Sequence, residues 1–518
     1  MEQVDYVLPE VAEAAPLWET VRDCLAGQAA IRKRGTRYLP MPNSTDDSKE
    51  NKARYFAYQT RGVFVNFTQR TLQGMTGTVF AKDAEAVLPD QLKMMYDDVD
   101  GGSVTLDQQA KQTLSDVIAV GRCGLLTDYP TRSSPTSRRA ALRGEVRPTI
   151  QYYFAEQIIN WRIDTVNGLR KLTMVVLKES RIEEDDGFKA TMADQYRVLR
   201  LENGVYTVRL YWKMPSGFEI SGGVITPKQG DGKPFDYIPF EFVGAENNDA
   251  GIDQSPMVDL ANLNIAHYRN SCDFEEMVFM LGQPTPVFTG LSQEWVDDQM
   301  KGVIVLGTHK PINLPKDATA DLMQITESSL AMEGMEHKER QAVALGARLV
   351  QSAEVARTAK EAGLEDASET SLLLSSAKNV NSAYARAIKS AARFAGAPIT
   401  DDMGYKLNTD FDILRLDPAG RAELLAEWQR GILSFTEYRS ILRRAGVATI
   451  DDDKAKAEIE ADAIKLAQTL GIDGSVQNDG VTPTDKNAPP TSATAPVQAG
   501  KPKRVKKEPR KKMKTAPK

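Results

Sequence analysis

Hydrophobic and polar positions change period several times along the chain. Behind Thr105 and Gln108, the residue pair of a capping box, Leu106, Ala110, Leu114, Val117 and Ile118 recur at helical spacing, which predicts an amphipathic helix from Thr105 to Gly121. Three segments, Leu169 to Lys178, Tyr196 to Leu201 and Gly204 to Trp212, are instead rich in β-branched and aromatic residues. Turn sequences separate them, Glu183 to Gly187 and Glu202-Asn203-Gly204, so they read as a meander of antiparallel strands. The first 250 residues therefore predict an α+β domain that ends in the loop Gly244 to Ile252.

The texture changes at Ser255-Pro256, an N-cap followed by proline at the first helical position, because no Gly or Pro recurs until Gly282 and Pro284. The helix so predicted would be about 39 Å long at 1.5 Å per residue. From Gly282 to Pro315 the β-prone pieces Thr285 to Thr289 and Gly302 to Leu306 are punctuated by prolines, which predicts a small α/β insertion. A second helical run, Glu327 to Val350, places Ala331, Met335, Ala342, Leu345 and Leu349 on one stripe and would be about 36 Å long. Two helices of nearly equal length joined by a compact insertion predict an antiparallel pair with a small domain at its tip. A third helix is expected from near Ser368 to Gly396-Ala397-Pro398. On it Leu373, Ala377, Val380, Tyr384, Ala387, Ala391 and Phe394 alternate steps of four and three, so one narrow face is packed. Shorter helices are expected after Asp417-Pro418, after the Ser434 to Glu437 capping box, and from about Lys454 to Leu470. From Gly471 onward Pro, Thr, Ala, Gly and Lys dominate, and disorder is expected.

Composition narrows the class. The chain has 518 residues, 41% hydrophobic and 26% charged, enough for two to four packed units. Its longest apolar runs fall far short of the roughly 20 residues that cross a bilayer, and Met1 to Pro9 lacks the basic and apolar regions of a secretory signal. No membrane span is expected. Cys24, Cys123 and Cys272 are odd in number, far apart and set among apolar neighbours, which predicts buried thiols rather than a disulfide or a metal site. Charge is uneven. Residues 501–518 hold ten Lys or Arg against one acid, Glu508, which leaves the first 500 residues at −15 within a total of −6. A cationic tail on an acidic body is either a solvated appendage or a contact for a polyanion, since clustered lysines release counterions when they meet phosphates.

Enzymatic chemistry leaves little trace. No GxxxxGK[ST], HExxH or GxSxG motif occurs, and His267, His309 and His337 have no second ligand at metal spacing. No enzyme activity and no cofactor is therefore expected. The acidic clusters Glu183 to Asp186 and Asp451 to Asp453 could hold magnesium in a nuclease, or could simply occupy turns and helix N-termini. Tyr55, Tyr58, Arg61, Phe64, Phe67 and Arg70 interleave aromatic and basic residues as single-strand binders do, yet Phe64, Phe67 and Leu72 fit a buried helix face better.

Three segments carry a resemblance: IPFEFVGAENNDAGIDQSPMVDLANLNIAHYRN (Ile238 to Asn270), GQPTPVFTGL (Gly282 to Leu291) and KERQAVALGARL (Lys338 to Leu349), together with the turn Gly431 to Ser434. With the order of elements over roughly residues 50–450, they make the chain similar to the portal proteins of tailed bacteriophages. The resemblance implies an α/β wing (1–254), a first stem helix (255–282), a clip (283–326), a second stem helix (327–350) and a tunnel loop (351–367). A long kinked helix returning to the wing (368–416), crown helices (417–470) and the disordered basic tail (471–518) would complete the subunit. It further implies a homo-oligomeric ring, commonly of about twelve copies, at one capsid vertex of the virion, assembled in the host bacterial cytoplasm. Double-stranded DNA would pass through this channel during packaging and ejection. The implied partners are the terminase large subunit, the head-tail adaptor, the major capsid or scaffolding protein, and DNA without sequence specificity; no membrane is involved. Arg357 and Lys360 would face the lumen in the tunnel loop, and Trp295, His309 and Lys310 would dock partners on the clip. Lys503, Arg504, Lys506, Lys507, Arg510, Lys511 and Lys512 would touch packaged DNA from the tail. Another capsid or tail assembly protein, or a metal-dependent DNA-processing nuclease, are the competing readings.

Overall fold

The computed structural model describes residues 3–129, 147–166, 168–214, 217–282, 285–300, 314–323, 329–346, 359–409, 418–444, 447–448, 450, 454–459 and 461–462. They belong to two units, Met1–Ile413 and Leu414–Lys518. The fold is α+β, as the sequence predicts.

Four helices open the first unit: α1 (Pro9–Ala26), α2 (Gln28–Arg34), α3 (Lys49–Arg61) and α4 (Phe67–Val79). After the short strand β1 (Glu85–Val87) comes α5 (Leu106–Val120). Its expected capping box is present: Gln108 N donates to Thr105 Oγ1 at 3.2 Å, and Thr105 N donates to Gln108 Oε1 at 3.1 Å. Gly121 ends the helix at φ 84°, and a Cβ there would stand 2.8 Å from the Asp253 carbonyl oxygen. Only glycine satisfies both the left-handed turn and this close approach.

The sheets explain the strand signals. β2 (Arg122–Asp128) pairs antiparallel with β3 (Thr149–Phe154). Next come β4 (Ile158–Val166), β5 (Leu169–Asp185), β6 (Ala190–Glu202), β7 (Val205–Met214) and β8 (Gly217–Ile225), a five-stranded antiparallel meander in chain order. It contains the three predicted strands and adds one on each side. β9 (Phe240–Gly244) then returns to pair with β2, giving the order β3-β2-β9. Along β5, Val175 and Leu177 enter a cluster with Phe240 and Phe242, whereas Met174 and Val176 enter another with Val4, Tyr196 and Tyr211. The continuous apolar run Leu172 to Leu177 thus belongs to a strand buried on both faces, which is why it shows no alternation.

The remaining elements of this unit are α6 (Val258–Gly282), β10 (Thr285–Thr289), α7 (Gln293–Met300), β11 (Thr319–Met323), α8 (Leu330–Ala344), α9 (Ala359–Ala395) and β12 (Gly404–Lys406), which pairs with β1. All seven stripe residues of α9 named from the sequence are buried. They face α5 and the three-stranded sheet, where the Tyr384 hydroxyl lies 3.0 Å from Thr113 Oγ1 and donates to Gln109 Oε1 at 3.1 Å. All three cysteines are free and buried.

Two boundaries need correction. The second long helix is shorter than the predicted 327–350, because α8 stops at Ala344 and Gly346 turns left-handed at φ 95°. The apolar stripe ran through this glycine and hid the stop. α8 is therefore about 22 Å long against about 38 Å for α6, and the two helices are not matched. The third helix begins at Ala359 rather than near Ser368, so Lys360 lies in a first helical turn and not in a loop. Ala, Lys, Glu and Leu are good helix formers, and the lone Gly363 is tolerated among them. The first long helix keeps its place, but Ser255 does not cap it with its side chain; that hydroxyl donates to Ala119 O at 2.7 Å.

In the second unit, α10 (Pro418–Gln429) and α11 (Phe435–Arg444) are joined by the predicted turn. Ser434 N donates to Glu437 Oε2 at 2.8 Å and Glu437 N to Ser434 Oγ at 3.2 Å, the expected capping box. Trp428 stacks on Tyr438 with ring centroids 5.0 Å apart. Residues 454–459 are helical, and the predicted tail lies outside the described residues.

Candidate assembly and docking site

The site with the clearest architecture is the helix pair α6/α8 and the insertion between them. The N-terminal half of α6 is embedded. Asn264 is fully buried and satisfied: its Oδ1 accepts from the Thr68 hydroxyl at 2.9 Å, and its Nδ2 donates to Val65 O at 2.7 Å. Tyr268 donates its hydroxyl proton to Gln59 O at 3.2 Å, and Ser271 Oγ accepts from Val63 N at 3.0 Å. Cys272 packs against Gly62, where an added Cβ would fall 2.2 Å from its sulfur. Burial pushes the Cys272 thiol up to about 11. Val258, Ala261, Ile265, Tyr268 and Cys272 are buried along one side of the helix.

α8 runs antiparallel to α6. His267 Nε2 lies 3.3 Å from Glu339 Oε1, while further along α6 a Cβ on Gly334 would meet the Asn270 amide. The His267 ring is buried and sits edge-on to Phe67 at 5.3 Å. Burial lowers its pKa below the ordinary 6.5, against the opposing pull of Glu339.

Past Cys272 the surroundings of α6 change. Asp273 accepts the Tyr58 hydroxyl proton at 2.6 Å; Arg61 pairs with Glu276 and lies 3.8 Å above the Phe279 ring. Phe274, Met277, Met280 and Leu281 are only half-buried, and Val278 and Phe279 are 46% and 41% exposed. On α8, Met332 is 49% exposed. The distal half of the pair thus leaves apolar side chains uncovered within one chain, in an arrangement that a second protein surface would cover.

The described part of the insertion is α/β: β10 stands where the sequence predicts a strand, β11 where it predicts none, and the expected strand Gly302 to Leu306 lies outside the described residues. β10 and β11 pair antiparallel, with the Thr289 and Thr319 hydroxyls 2.7 Å apart. Ser292 Oγ accepts from Trp295 N at 3.3 Å at the start of α7, and Trp295 is half-buried rather than freely displayed. His309, Lys310, Arg357 and the basic tail residues Lys503, Arg504, Lys506, Lys507, Arg510, Lys511 and Lys512 lie outside the described residues.

Sequence reasoning overlooked the anchor of the junction into α6. Arg122 is almost wholly buried, with Nη1 donating to Ala250 O at 2.8 Å and Gly251 O at 2.6 Å. Its guanidinium lies 4.2 Å from the Trp161 centroid and 4.4 Å from that of Phe242. Burial lowers its pKa to about 10, opposed by Asp253. From the other side Asn379 of α9 donates to Gly244 O at 2.9 Å and accepts at its own carbonyl from Asn248 at 2.8 Å. The acidic, Asn-rich loop is therefore clamped between β2 and α9. The aromatic and basic run resolves in the same way: Phe64 and Phe67 are core residues, with Phe64 in the connection before α4 rather than on a helix. Among the described residues, no group of three His, Cys, Asp or Glu side chains could hold a metal ion. No helix among them is long and apolar enough to cross a membrane.

Residues 256–395 match a family described as a domain of unknown function, DUF4055. The match covers α6, the insertion, α8 and α9. A comparison with curated proteins found no match.

Proposed function

We propose that this protein is a portal-type subunit, assembling into a ring whose channel passes double-stranded DNA into and out of a phage capsid. The observation that carries the reading is the α6/α8 pair, embedded at one end and apolar but uncovered at the other, with an α/β insertion between its strands of helix. In a cyclic assembly each pair packs on its neighbours, and the exposed Val278, Phe279 and Met332 become interfacial. The insertion is then the docking surface for the terminase large subunit during packaging and for the head-tail adaptor afterward. Capsid or scaffolding protein would meet the ring at its vertex. Such a subunit hydrolyses no nucleotide, in keeping with the missing phosphate loop. Arg357 and Lys360 would present cations to the lumen, and the tail beyond residue 500 would touch DNA without reading its sequence.

Electron microscopy and native mass measurement of the purified chain test the proposal. Closed rings of about twelve subunits are the expected result. A monomer or dimer at all concentrations, or metal-dependent cleavage of DNA, would overturn it.

A further inference from the structure

A second pair of surfaces lies on the five-stranded sheet, far in sequence from the helix pair. The first is an arm. Every residue from 182 to 192 is exposed, so the end of the β5/β6 hairpin projects about 17 Å at 3.3 Å per residue. Its tip is ordered by its own bonds: Asp186 Oδ1 accepts from Phe188 N at 2.8 Å and from Lys189 N at 2.6 Å, and Gly187 supplies the left-handed residue at φ 88°. Phe188 is wholly exposed, and Ile182 and Met192, directly paired across the strands, are each 56% exposed. Four consecutive acids, Glu183 to Asp186, precede the phenylalanine. An aromatic residue and carboxylates held on a rigid tip in water form a plug without a socket.

The second surface is a cavity of about 290 Å³ on the same sheet, nearer its first strand. Its floor is Val4, Met174, Val176 and Val198, each less than a tenth exposed, and its sides are polar, with Arg162 and Arg200 beside Asn160 and Tyr211. The register fixes this arrangement: Arg162 pairs with Met174 and Met174 with Arg200, so the two arginines flank one methionine on one face, about 10 Å apart across two strand spacings. Among the described residues, no Asp or Glu lines the cavity. Arg200 Nε is buried without a hydrogen-bond partner among the described residues. Two guanidiniums above an apolar floor call for a ligand with an aromatic or aliphatic group and adjacent carboxylates.

We propose that the hairpin tip of one copy seats in this cavity of the next, with Phe188 on the apolar floor and Glu184 and Asp185 against Arg162 and Arg200. Plug and socket are different patches of one chain, so the contact is heterologous and propagates head to tail, closing into a ring when the rotation permits. The inference rests on the ring reading for its geometry and adds the contact that joins neighbours away from the helices.

The full-length chain carrying a photo-cross-linking phenylalanine analogue at position 188, in an equal mixture of light and heavy isotopes, tests the contact directly. Cross-links from position 188 to residues 174–176 or 198–200 of another copy are expected. Charge reversal at the socket (R162E/R200E) or at the plug (E184R/D185R) should raise the concentration needed for assembly roughly tenfold or more. All four changes in one chain should restore it. Cross-links that stay within one chain or reach other surfaces overturn the proposal, as does a fourfold variant no better than the pairs. Loss of DNA binding with assembly unchanged in R162E/R200E would make the cavity a phosphate site and overturn it equally. Parent rings without the cross-link leave the ring reading standing and remove this contact. The cross-link in open filaments does the reverse.

Discussion

Replacing Gly62 by alanine tests how tightly α6 is fixed to the N-terminal helices. The new Cβ would fall 2.2 Å from Cys272 Sγ and 3.2 Å from its Cα and Cβ. Ordinary carbon contacts lie near 3.5 to 4.0 Å, so the sulfur clash alone requires a separation of about 1.5 Å. The thiol is buried among packed neighbours, and overpacking of this kind costs about 1–3 kcal/mol. With an unfolding entropy of about 2.1 cal/mol/K per residue over the Met1–Ile413 unit, each kcal/mol moves the melting midpoint by about 1 °C, giving a fall of about 1–3 °C. A sharper readout is the thiol itself. Residue-resolved alkylation should speed up at Cys272 by about 5- to 150-fold, the same free energy expressed as a local opening equilibrium, while Cys24 and Cys123 keep the parent rate. Cys272→Ala removes the sulfur and should couple favourably with Gly62→Ala, since only the 3.2 Å contacts then remain. Unchanged alkylation at Cys272 in Gly62→Ala, or a double variant that loses the full sum of the single losses, would refute the argument that close approach demands this glycine.

Three further outcomes follow from other parts of the molecule. Thr105→Ala removes the reciprocal cap of α5 and should cost about 1 kcal/mol, seen as faster hydrogen exchange in the first turn of that helix; Thr105→Ser should largely retain it. His267 has a folded pKa below 6.5, so the unfolded chain takes up a proton that the folded chain refuses. Its stability contribution is complete above 6.5 and is lost as pH falls toward the folded value; denaturation measured from pH 7.5 to 5 should show this slope, and His267→Gln should flatten it. Truncation after Gly500 removes a charge of +9 and should lower affinity for duplexes of unrelated sequence at low salt, with the difference vanishing as salt rises; equal affinity of both chains at low salt would make the tail a solvated appendage.

Much of the fold was legible where one physical rule dominated. The α5 cap, the α9 stripe and the Ser434 cap each combine periodicity with local hydrogen bonding, and all were read at the right residues. The end of α8 was missed because the apolar period continues through Gly346, whose left-handed conformation overrides it. α9 starts at Ala359, ahead of the expected Ser368; its polar, charged first stretch lacks an apolar period to mark it, although its residues favour helix. Arg122 left no signal at all. An arginine after a glycine at the start of a strand predicts exposure, and only the tertiary placement of Trp161, Phe242 and the Ala250 carbonyl makes burial tolerable. The hairpin acids were read as turn formers, which they are; the exposure of Phe188 beside them could not be inferred from spacing.

The order of the strands also governs when the chain can fold during its synthesis. The meander from β4 to β8 is built from neighbours in sequence and can pair as soon as it leaves the ribosome. The three-stranded sheet cannot, because β2 must wait for β9 more than a hundred residues later, and its buried face then waits for α9. At about 5–20 residues per second, tens of seconds can separate the emergence of α5 from that of Phe394. During that interval the faces of α5 and β2 that α9 covers stay open, which predicts that nascent chains halted before residue 395 are more readily bound by a holding chaperone than those halted after it.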